Sequence, residues 1–169
     1  MQKPQTPPDE PERQAALERT GALGPGRNAD LQDIVELAAR ICGVPIAVVS
    51  LLDRDRQFFK ARVGLEAQET PRDVSFCGHA ILGTGPFVVS DATQDERFAD
   101  NPLVTGPPNV RFYAGVPLFV DERYPVGTLC VIDRQPRELD ERMRDSLERL
   151  ARIARLHLQE LADRSRHPR

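Results

Sequence analysis

The sequence predicts an α+β fold in which a central antiparallel sheet of five or six strands is flanked by helices. Apolar residues change along the chain from the three-and-four spacing of helices to the shorter, β-branched runs of strands. Two strand pairs, 44–53 with 57–64 and 110–120 with 126–133, are each joined by a short polar turn and are predicted to form antiparallel hairpins. Strands and helices do not alternate regularly, which argues against a doubly wound parallel sheet.

Three helices are predicted outside the hairpins. The first spans 12–20 and stops at Gly21, and the second spans 29–42 and stops at Gly43. A long final helix begins after Asp140 as its N-cap and runs to the end of the apolar pattern. The second helix repeats its apolar residues at three and four, which predicts one buried face. That face is predicted to comprise Leu31, Ile34, Leu37, Ala38 and Ile41.

The region between the hairpins is predicted to hold shorter elements. Residues 65–73 are predicted to be a loop, 74–85 a short helix ended by glycines, and 87–90 a short strand. Thr93 and Glu96 have the spacing of a capping box, so a further helix is predicted to start there and to end at Asn101-Pro102.

Length and composition predict one domain and exclude several partners. The 169 residues divide into a proline-rich disordered lead-in (1–11), a single domain (12–163) and a tail (164–169). The net charge is −3 and only 5% of residues are aromatic, which argues against a nucleic-acid partner. Neither a membrane-spanning run nor a secretory signal is visible, so a cytoplasmic location without membrane contact is expected.

The stretch SFCGHAIL (75–82) places a thiol and an imidazole two residues apart. On a helix, such positions lie about 200° apart around the axis, so Cys77 and His79 are not expected to form a catalytic dyad. Cys77 is predicted to be buried, and its place near a helix N-terminus leaves a redox-responsive role open. Three cysteines without CxxC spacing predict neither a disulfide framework nor a metal site.

Four separated blocks follow one another along the chain: RICGVPIAVVSLLDRDRQFFKARVGLEAQETPRDVSFCGHAIL, FVVSDATQDERFADNPLV, VRFYAGVPL and GTLCVID. Together, and in this order, they resemble the GAF domain, of the type found as an input module in bacterial sensor histidine kinases and diguanylate cyclases. The resemblance implies a cytoplasmic sensor or regulatory domain with a small-molecule pocket between the sheet and the short helices. Fold alone does not decide which function the domain performs.

The resemblance also implies alternatives, which the residues test. Free methionine-R-sulfoxide reductases of this family share the Cys77-Gly78 step but have further cysteines where this chain has Ala67 and Asn101. Without those partner thiols a sulfenic acid on Cys77 has no local group to condense with. Covalent bilin would need a cysteine and a histidine within 97–109, which holds neither, and DERFADN matches the cyclic-nucleotide motif NKFDE only weakly. Haem on His79 is likewise not expected, so the chain is predicted to be no enzyme and to carry no cofactor.

The predicted ligand-binding residues lie on the short helices and strand ends, where convergent polar groups over an apolar floor suit a small molecule. Local roles are the alternative for several of them: Asp91 as a cap, and Arg97 as a partner of Asp95 or Asp100. The predicted set is Phe76, Cys77, His79, Asp91, Arg97, Phe98, Asn101, Arg111 and Tyr113.

The final helix carries a near-heptad apolar stripe. Its members are Leu139, Met143, Leu147, Leu150, Ala154, Leu158 and Leu161, widened by Ala151, Ile153 and Leu156. The stripe predicts either packing on the sheet of the same chain or a parallel homodimer through the terminal helices that transmits a signal to an output partner. A structural dimerisation module without a ligand is therefore an alternative to the sensor.

Overall fold

The computed structural model describes residues 1–166 and contains a six-stranded antiparallel sheet. The strands are β1 Ile46–Leu52, β2 Arg56–Val63, β3 Glu69–Pro71, β4 Phe87–Val89, β5 Phe112–Val120 and β6 Tyr124–Asp133. They lie in the order β3-β2-β1-β6-β5-β4. The two predicted hairpins, β1–β2 and β5–β6, are both present, and β1 pairs with β6 to join them. The predicted α+β class is confirmed.

Three long helices cover one face of the sheet, and two short helices lie among the loops on the other. The helices are α1 Glu10–Arg19, α2 Ala29–Cys42, α3 Cys77–Ala80, α4 Pro102–Thr105 and α5 Glu141–Arg166. The predicted caps of the long helices are observed: Gly43 ends α2 in the left-handed conformation, and the side chain of Asp140 accepts a bond from the Met143 amide at 2.8 Å.

The two faces of the sheet carry separate hydrophobic clusters. One cluster joins the sheet to α1, α2 and α5 and is built mainly of Leu, Val and Ala. The other joins the sheet to α3, α4 and their loops and contains Phe76, Phe98, Tyr113 and two cysteines. Strand β1 is buried along its whole length because it contributes side chains to both clusters.

The buried face of α2 differs from the predicted one. Leu31, Ile34 and Ala38 are buried as expected, but Leu37 and Ile41 are 45% and 42% exposed. Val35, Ala39 and Cys42 are buried in their place. The helix packs against both the sheet and α5, so its buried stripe is rotated toward this second neighbour.

The apolar stripe of α5 packs within its own chain. Met143, Leu147, Ala154 and Leu158 are buried, and α5 contacts β5 and α2 along its length. Of the residues predicted to widen the stripe, Ile153 and Leu156 remain 52% and 62% exposed. The helix extends through the first residues of the predicted tail to Arg166, and residues 167–169 lie outside the described part of the chain.

The predicted helix from Thr93 to Asn101 is wrong. A 3₁₀ turn spans Ala92–Gln94, capped by Asp91, and the chain then continues in turns. Asn101 begins a helix instead of ending one: its side chain accepts from the Leu103 amide at 2.9 Å, and Pro102 occupies the first turn of α4. Proline is compatible with a helix start because a backbone N–H in the first turn has no acceptor within the helix, so its absence costs no hydrogen bond. The predicted loop 65–73 also contains the short edge strand β3.

The lead-in lies against the domain, in contrast to the predicted disorder of residues 1–11. The Gln2 amide donates to the Arg97 carbonyl at 3.0 Å, Pro4 lies at Gly78, and Pro7 is buried. Its last residues already belong to α1. Proline restricts the unfolded chain, so ordering this segment costs less conformational entropy than its lack of apolar residues suggests.

Candidate functional site

A cavity of about 440 Å³ lies between the sheet and the short helices. Its walls are largely apolar and include Val48, Phe59, Leu103, Val110 and Ile132. The exposed side chains of Glu66 and Arg134 stand at its rim. An apolar cavity of this size with few polar groups has the general character of a small-molecule site. A second depression, between β5 and α5, is lined mainly by charged and exposed side chains and is shallower in character.

Cys77 lies at the floor of the cavity at the start of α3. Its Sγ accepts hydrogen bonds from the Tyr113 hydroxyl at 3.1 Å and from the Thr128 hydroxyl at 3.0 Å. Cys130 lines the same cavity and belongs to the same buried cluster, and both cysteines are 2% exposed. The floor is therefore a cluster of two thiols and two hydroxyl groups, contributed by α3, β5 and β6.

Strand alternation explains how this cluster assembles. Thr128, Cys130 and Ile132 follow each other at every second position of β6, so they share the cavity face. Gly115 on β5 leaves room for the ring of Tyr113, because a Cβ at this position would lie 2.3 Å from the Tyr113 hydroxyl oxygen. Any larger residue at 115 would displace the hydroxyl that bonds to Cys77.

The two thiols have opposite pKa shifts. Burial opposes ionisation of Cys77, but the hydrogen bonds from Cys130, Thr128 and Tyr113 outweigh it and lower the pKa of Cys77 to about 7. The bond to Cys77 and burial raise the pKa of Cys130, and burial raises the pKa of the Tyr113 hydroxyl. Cys77 is therefore the group of this cluster that ionises first as the pH rises toward neutral, while its partners stay protonated.

A second run of polar groups crosses the sheet beside the thiols. The Ser50 hydroxyl donates to Gln57 Oε1 at 3.0 Å, and Gln57 Nε2 donates to the Thr70 hydroxyl at 2.8 Å. Ser50 lies opposite Thr128 in the β1–β6 pairing, and both are fully buried. Each of these buried polar groups has a partner, which avoids the cost of an unsatisfied hydrogen bond.

The N-terminal turn of α3 is held by Ser75. Its hydroxyl donates to the Arg72 carbonyl at 2.7 Å and accepts from the Gly78 amide at 3.1 Å. A Cβ at Gly78 would lie 2.7 Å from Pro4, so glycine is required for the lead-in to approach. The position of Cys77 is thus held by the hydrogen bonds of Ser75 before it and by the close packing of Gly78 after it.

The predicted ligand residues separate into two groups. Phe76, Cys77 and Tyr113 line the cavity. Phe98 is buried behind them, with its ring stacked on Phe76 at 4.0 Å between centroids. His79 points away from Cys77, as expected for a helix: its Nε2 donates to the Gln2 carbonyl at 3.0 Å. Burial lowers the pKa of His79.

The remaining predicted ligand residues lie outside the cavity lining and make local contacts. Asp91 accepts from the amide and the hydroxyl of Thr93. The carboxylate of Asp95 pairs with Arg97 at 2.7 Å, and this hydrogen bond lowers the pKa of Asp95.

Asn101 and Arg111 likewise serve the backbone. Asn101 is buried and donates to the Val74 carbonyl at 3.0 Å in addition to capping α4. Arg111 donates to the Val104 carbonyl at 2.9 Å. These bonds hold the loops around the cavity in place. Asn101 and Arg111 therefore influence the shape of the cavity without lining it.

Sequence reasoning missed the polar residues that do line the cavity, which are Gln57, Glu66, Thr70, Cys130 and Arg134. Cys130 lies on the last strand, and its position in the sequence differs from those at which the related reductases have their partner cysteines. A signal was available in the alternation of β6, where Cys130 falls on the opposite face from Leu129 and Val131. Which elements cover that face depends on the path of the chain after β2, which the pattern does not specify.

Two further features concern metals and membranes. Among residues 1–166, no three His, Cys, Asp or Glu side chains converge as a metal site. Within the same residues, every helix is too short or too polar to cross a lipid bilayer.

The chain is similar to a cyclic di-GMP phosphodiesterase of Pseudomonas aeruginosa, with 48% identity over 160 residues. The match covers 93% of this chain and 27% of that protein, so the chain spans about a quarter of the relative's length. This match contradicts the prediction that the chain is no enzyme. The prediction weighed only chemistry within these 169 residues, whereas the relative is named for an activity of a much longer protein.

Solved structures share the fold at low identity. A free methionine-R-sulfoxide reductase from Neisseria meningitidis, with substrate, has a TM-score of 0.63 and 21% identity, covering 92% of this chain and 87% of that chain. The GAF domain of an Acinetobacter phosphoenolpyruvate-protein phosphotransferase has a TM-score of 0.65 and 21% identity, covering 92% of this chain and 95% of that chain. The PixJ GAF domain of Thermosynechococcus elongatus has a TM-score of 0.65 and 17% identity, covering 88% of this chain and 89% of that chain.

The match to a family model agrees with the fold and with the resemblance of the sequence blocks. The model described as GAF domain matches residues 27–158, which include the whole sheet and most of α5. The N-terminal helix α1 precedes the matched region and packs on it. The chain belongs to the GAF domain family.

Proposed function

We propose that this chain is a signalling domain that binds a small molecule in the cavity and regulates a cyclic di-GMP phosphodiesterase as its output partner. The cavity of about 440 Å³ above the Cys77 floor is the observation that supports binding. The similarity to a cyclic di-GMP phosphodiesterase over 160 residues supports the output. In this proposal the ligand acts by its different affinity for two arrangements of the domain.

A chain of contacts connects the cavity to α1 and supports such regulation. Cys77 follows the turn in which Ser75 bonds to the Arg72 carbonyl, and the Arg72 guanidinium binds the carboxylate of Glu10 on α1. Glu10 also binds Arg13. A ligand that shifts α3 would therefore move Arg72, which binds Glu10 in the first turn of α1.

Arg13 extends this connection to the sheet. It is fully buried and donates to the Leu52 carbonyl at 2.7 Å and to the Pro125 carbonyl at 3.2 Å, at the ends of β1 and β6. The hydrogen bonds from Arg13 and Arg72 outweigh partial burial and lower the pKa of Glu10 to about 2. Helix α1 is thus attached to β1 and β6, and both strands contribute residues to the cavity lining.

Native mass spectrometry of the purified chain tests ligand binding. We expect a bound small molecule that is released on denaturation and is lost in Ala67→Trp, which places an indole in the cavity lining. Ala99→Trp is the matched control, because Ala99 is also exposed but does not line the cavity. Equal ligand content in the two variants, or none in the unmodified chain from any growth condition, would contradict binding in this cavity.

We also propose a homodimer through α2 and α5, as a second function that does not require a ligand. Leu37 and Ile41 on α2 and Ile153 and Leu156 on α5 are large apolar side chains that remain exposed. Native mass spectrometry of Ile153→Glu/Leu156→Glu should show loss of the dimer. Leu82→Glu, an exposed apolar residue beyond α3, should leave the dimer intact. A monomeric unmodified chain would rule this proposal out.

A further inference from the structure

We propose that Cys77 and Cys130 form a redox site at the cavity floor, where a small hydroperoxide oxidises Cys77 and Cys130 converts the product to a disulfide. This inference does not depend on the proposed ligand or on the output partner. It starts from an arrangement that the sequence spacing does not reveal: two free thiols, 53 positions apart in the chain, line the same cavity and belong to the same buried cluster.

The geometry gives the two thiols an enclosed site with access to solvent. Both side chains are 2% exposed, yet both line the cavity, whose rim carries the exposed Glu66 and Arg134. Cys77 is the first residue of α3, and Cys130 lies on β6 opposite Val48 of β1. A molecule as small as hydrogen peroxide can therefore reach the sulfur atoms through the cavity, whereas a protein is excluded by its size.

The surrounding groups assign different roles to the two sulfurs. Tyr113 and Thr128 both donate to Cys77 Sγ, and hydrogen bonds to the charged form favour a thiolate. Cys130 keeps its proton, because its pKa is raised while that of Cys77 is lowered. The thiolate is the nucleophile in cysteine oxidation, so Cys77 reacts first and Cys130 second.

Both steps balance with hydrogen peroxide as the oxidant. The Cys77 thiolate attacks one peroxide oxygen: an S–O bond forms, the O–O bond breaks, and the leaving hydroxide takes a proton to become water. The sulfur of Cys77 is oxidised to a sulfenic acid while the peroxide is reduced. The sulfur of Cys130 then attacks that of Cys77: the S–S bond forms, the S–O bond breaks, and the leaving hydroxide takes the proton of Cys130 as a second water.

The oxidised floor would differ from the reduced one in two ways. A disulfide sulfur carries no charge and is only a weak acceptor, so the hydroxyls of Tyr113 and Thr128 lose the anionic acceptor that the Cys77 thiolate provides. The S–S bond also attaches the first residue of α3 covalently to the centre of β6. Since α3 forms one wall of the cavity, oxidation makes that wall less polar and restricts the movement of α3 relative to β6.

The third cysteine supplies a matched control. Cys42 is also buried and free, but it belongs to the cluster on the opposite face of the sheet. Burial raises the pKa of the Cys42 thiol. It therefore shares the chemistry of the other two thiols but neither the cavity nor the hydrogen-bond donors.

The test is oxidation of the full chain by hydrogen peroxide, followed by intact-mass measurement and peptide mapping under non-reducing conditions. We expect loss of two hydrogen atoms and a Cys77–Cys130 linked peptide, both reversed by dithiothreitol. Cys42→Ser should react like the unmodified chain. Cys130→Ser should stop at a sulfenic acid on Cys77 that dimedone traps, and Cys77→Ser should give neither product. Circular dichroism of each variant establishes that it is folded.

Three outcomes would overturn the proposal, and the first two need no variant. They are an unmodified chain that stays fully reduced, a linkage that involves Cys42, and a folded Cys77→Ser that is oxidised at Cys130 as rapidly as the unmodified chain. The pH dependence offers a further check. The rate of the first step should fall about tenfold for each unit of pH below about 7, as Cys77 becomes protonated.

Discussion

The two faces of the sheet are built from the same strands but differ in chemistry. Toward α1, α2 and α5, β1 and β6 present Val49, Leu51, Leu129 and Val131, and aliphatic side chains fill the space. Toward α3 and α4, the alternate positions carry hydroxyl and thiol groups beside a cavity. The comparison teaches that a strand alternating between two buried faces can supply close packing on one side and reactive groups on the other.

The contrast predicts that the helical face carries most of the stability. Leu147→Ala, in the fully buried stripe of α5, should lower the free energy of unfolding by about 2–5 kcal/mol, because it removes apolar contacts and leaves a cavity. Urea unfolding measures this loss. The rate at which iodoacetamide alkylates Cys77 under native conditions should stay unchanged; a large increase would mean that the two faces are not independent.

Glu10 joins the two faces, and its titration should reveal this connection. Its pKa is lowered to about 2 in the folded chain from an unfolded value of 4.5. A lowered carboxyl pKa stabilises the fold above the unfolded value, and that contribution is lost as the pH falls from 4.5 toward 2. We expect a loss of about 2 kcal/mol over this range, measured by unfolding at several pH values. Glu10→Gln should remove this part of the pH dependence; an unchanged profile would contradict the assignment.

On the cavity face, substitutions should change reactivity more than stability. Tyr113→Phe removes one donor to Cys77 Sγ while keeping the ring. The pKa of Cys77 should rise by about one unit, so the thiolate fraction and the alkylation rate at pH 6 should fall about tenfold. The free energy of unfolding should change by no more than about 1 kcal/mol. An alkylation rate equal to that of the unmodified chain would exclude a role for the hydroxyl.

The smallest effect is expected where neither face is involved. Ile153 is 52% exposed on α5, so Ile153→Ser should change the free energy of unfolding by less than about 0.5 kcal/mol. Thermal unfolding at low protein concentration measures this. A larger loss at high concentration only would indicate that the side chain is covered by a second copy of the chain.

The sequence was sufficient for features that depend on local pattern. The apolar run of β1, the glycine that ends α2 and the Asp140 cap all follow from neighbouring residues, and the structure contains each of them. Asn101-Pro102 was misread because the same pair is compatible with a helix end and with a helix start. The local pattern does not distinguish the two.

The cavity floor depends on information that no local pattern carries. Cys77 and Cys130 meet only because α3 packs on β6, while Gln57 and Thr70 meet only through the register of β2 and β3. The predicted ligand residues lie near the short helices. Three of them, Phe76, Cys77 and Tyr113, do line one wall of the cavity. The opposite wall is contributed by strands whose partner elements were not predictable from spacing.

The shortness of β3 has a consequence for exchange between the cavity and solvent. This edge strand pairs with β2 over only three residues, and Thr70 within it receives the outermost bond of the polar run from Ser50. Edge segments with few backbone bonds open locally at a much lower free energy than the whole domain unfolds. The residence time of a molecule in the cavity should therefore be governed by fraying of β3, and amide hydrogen exchange at Glu69 and Thr70 would measure that rate.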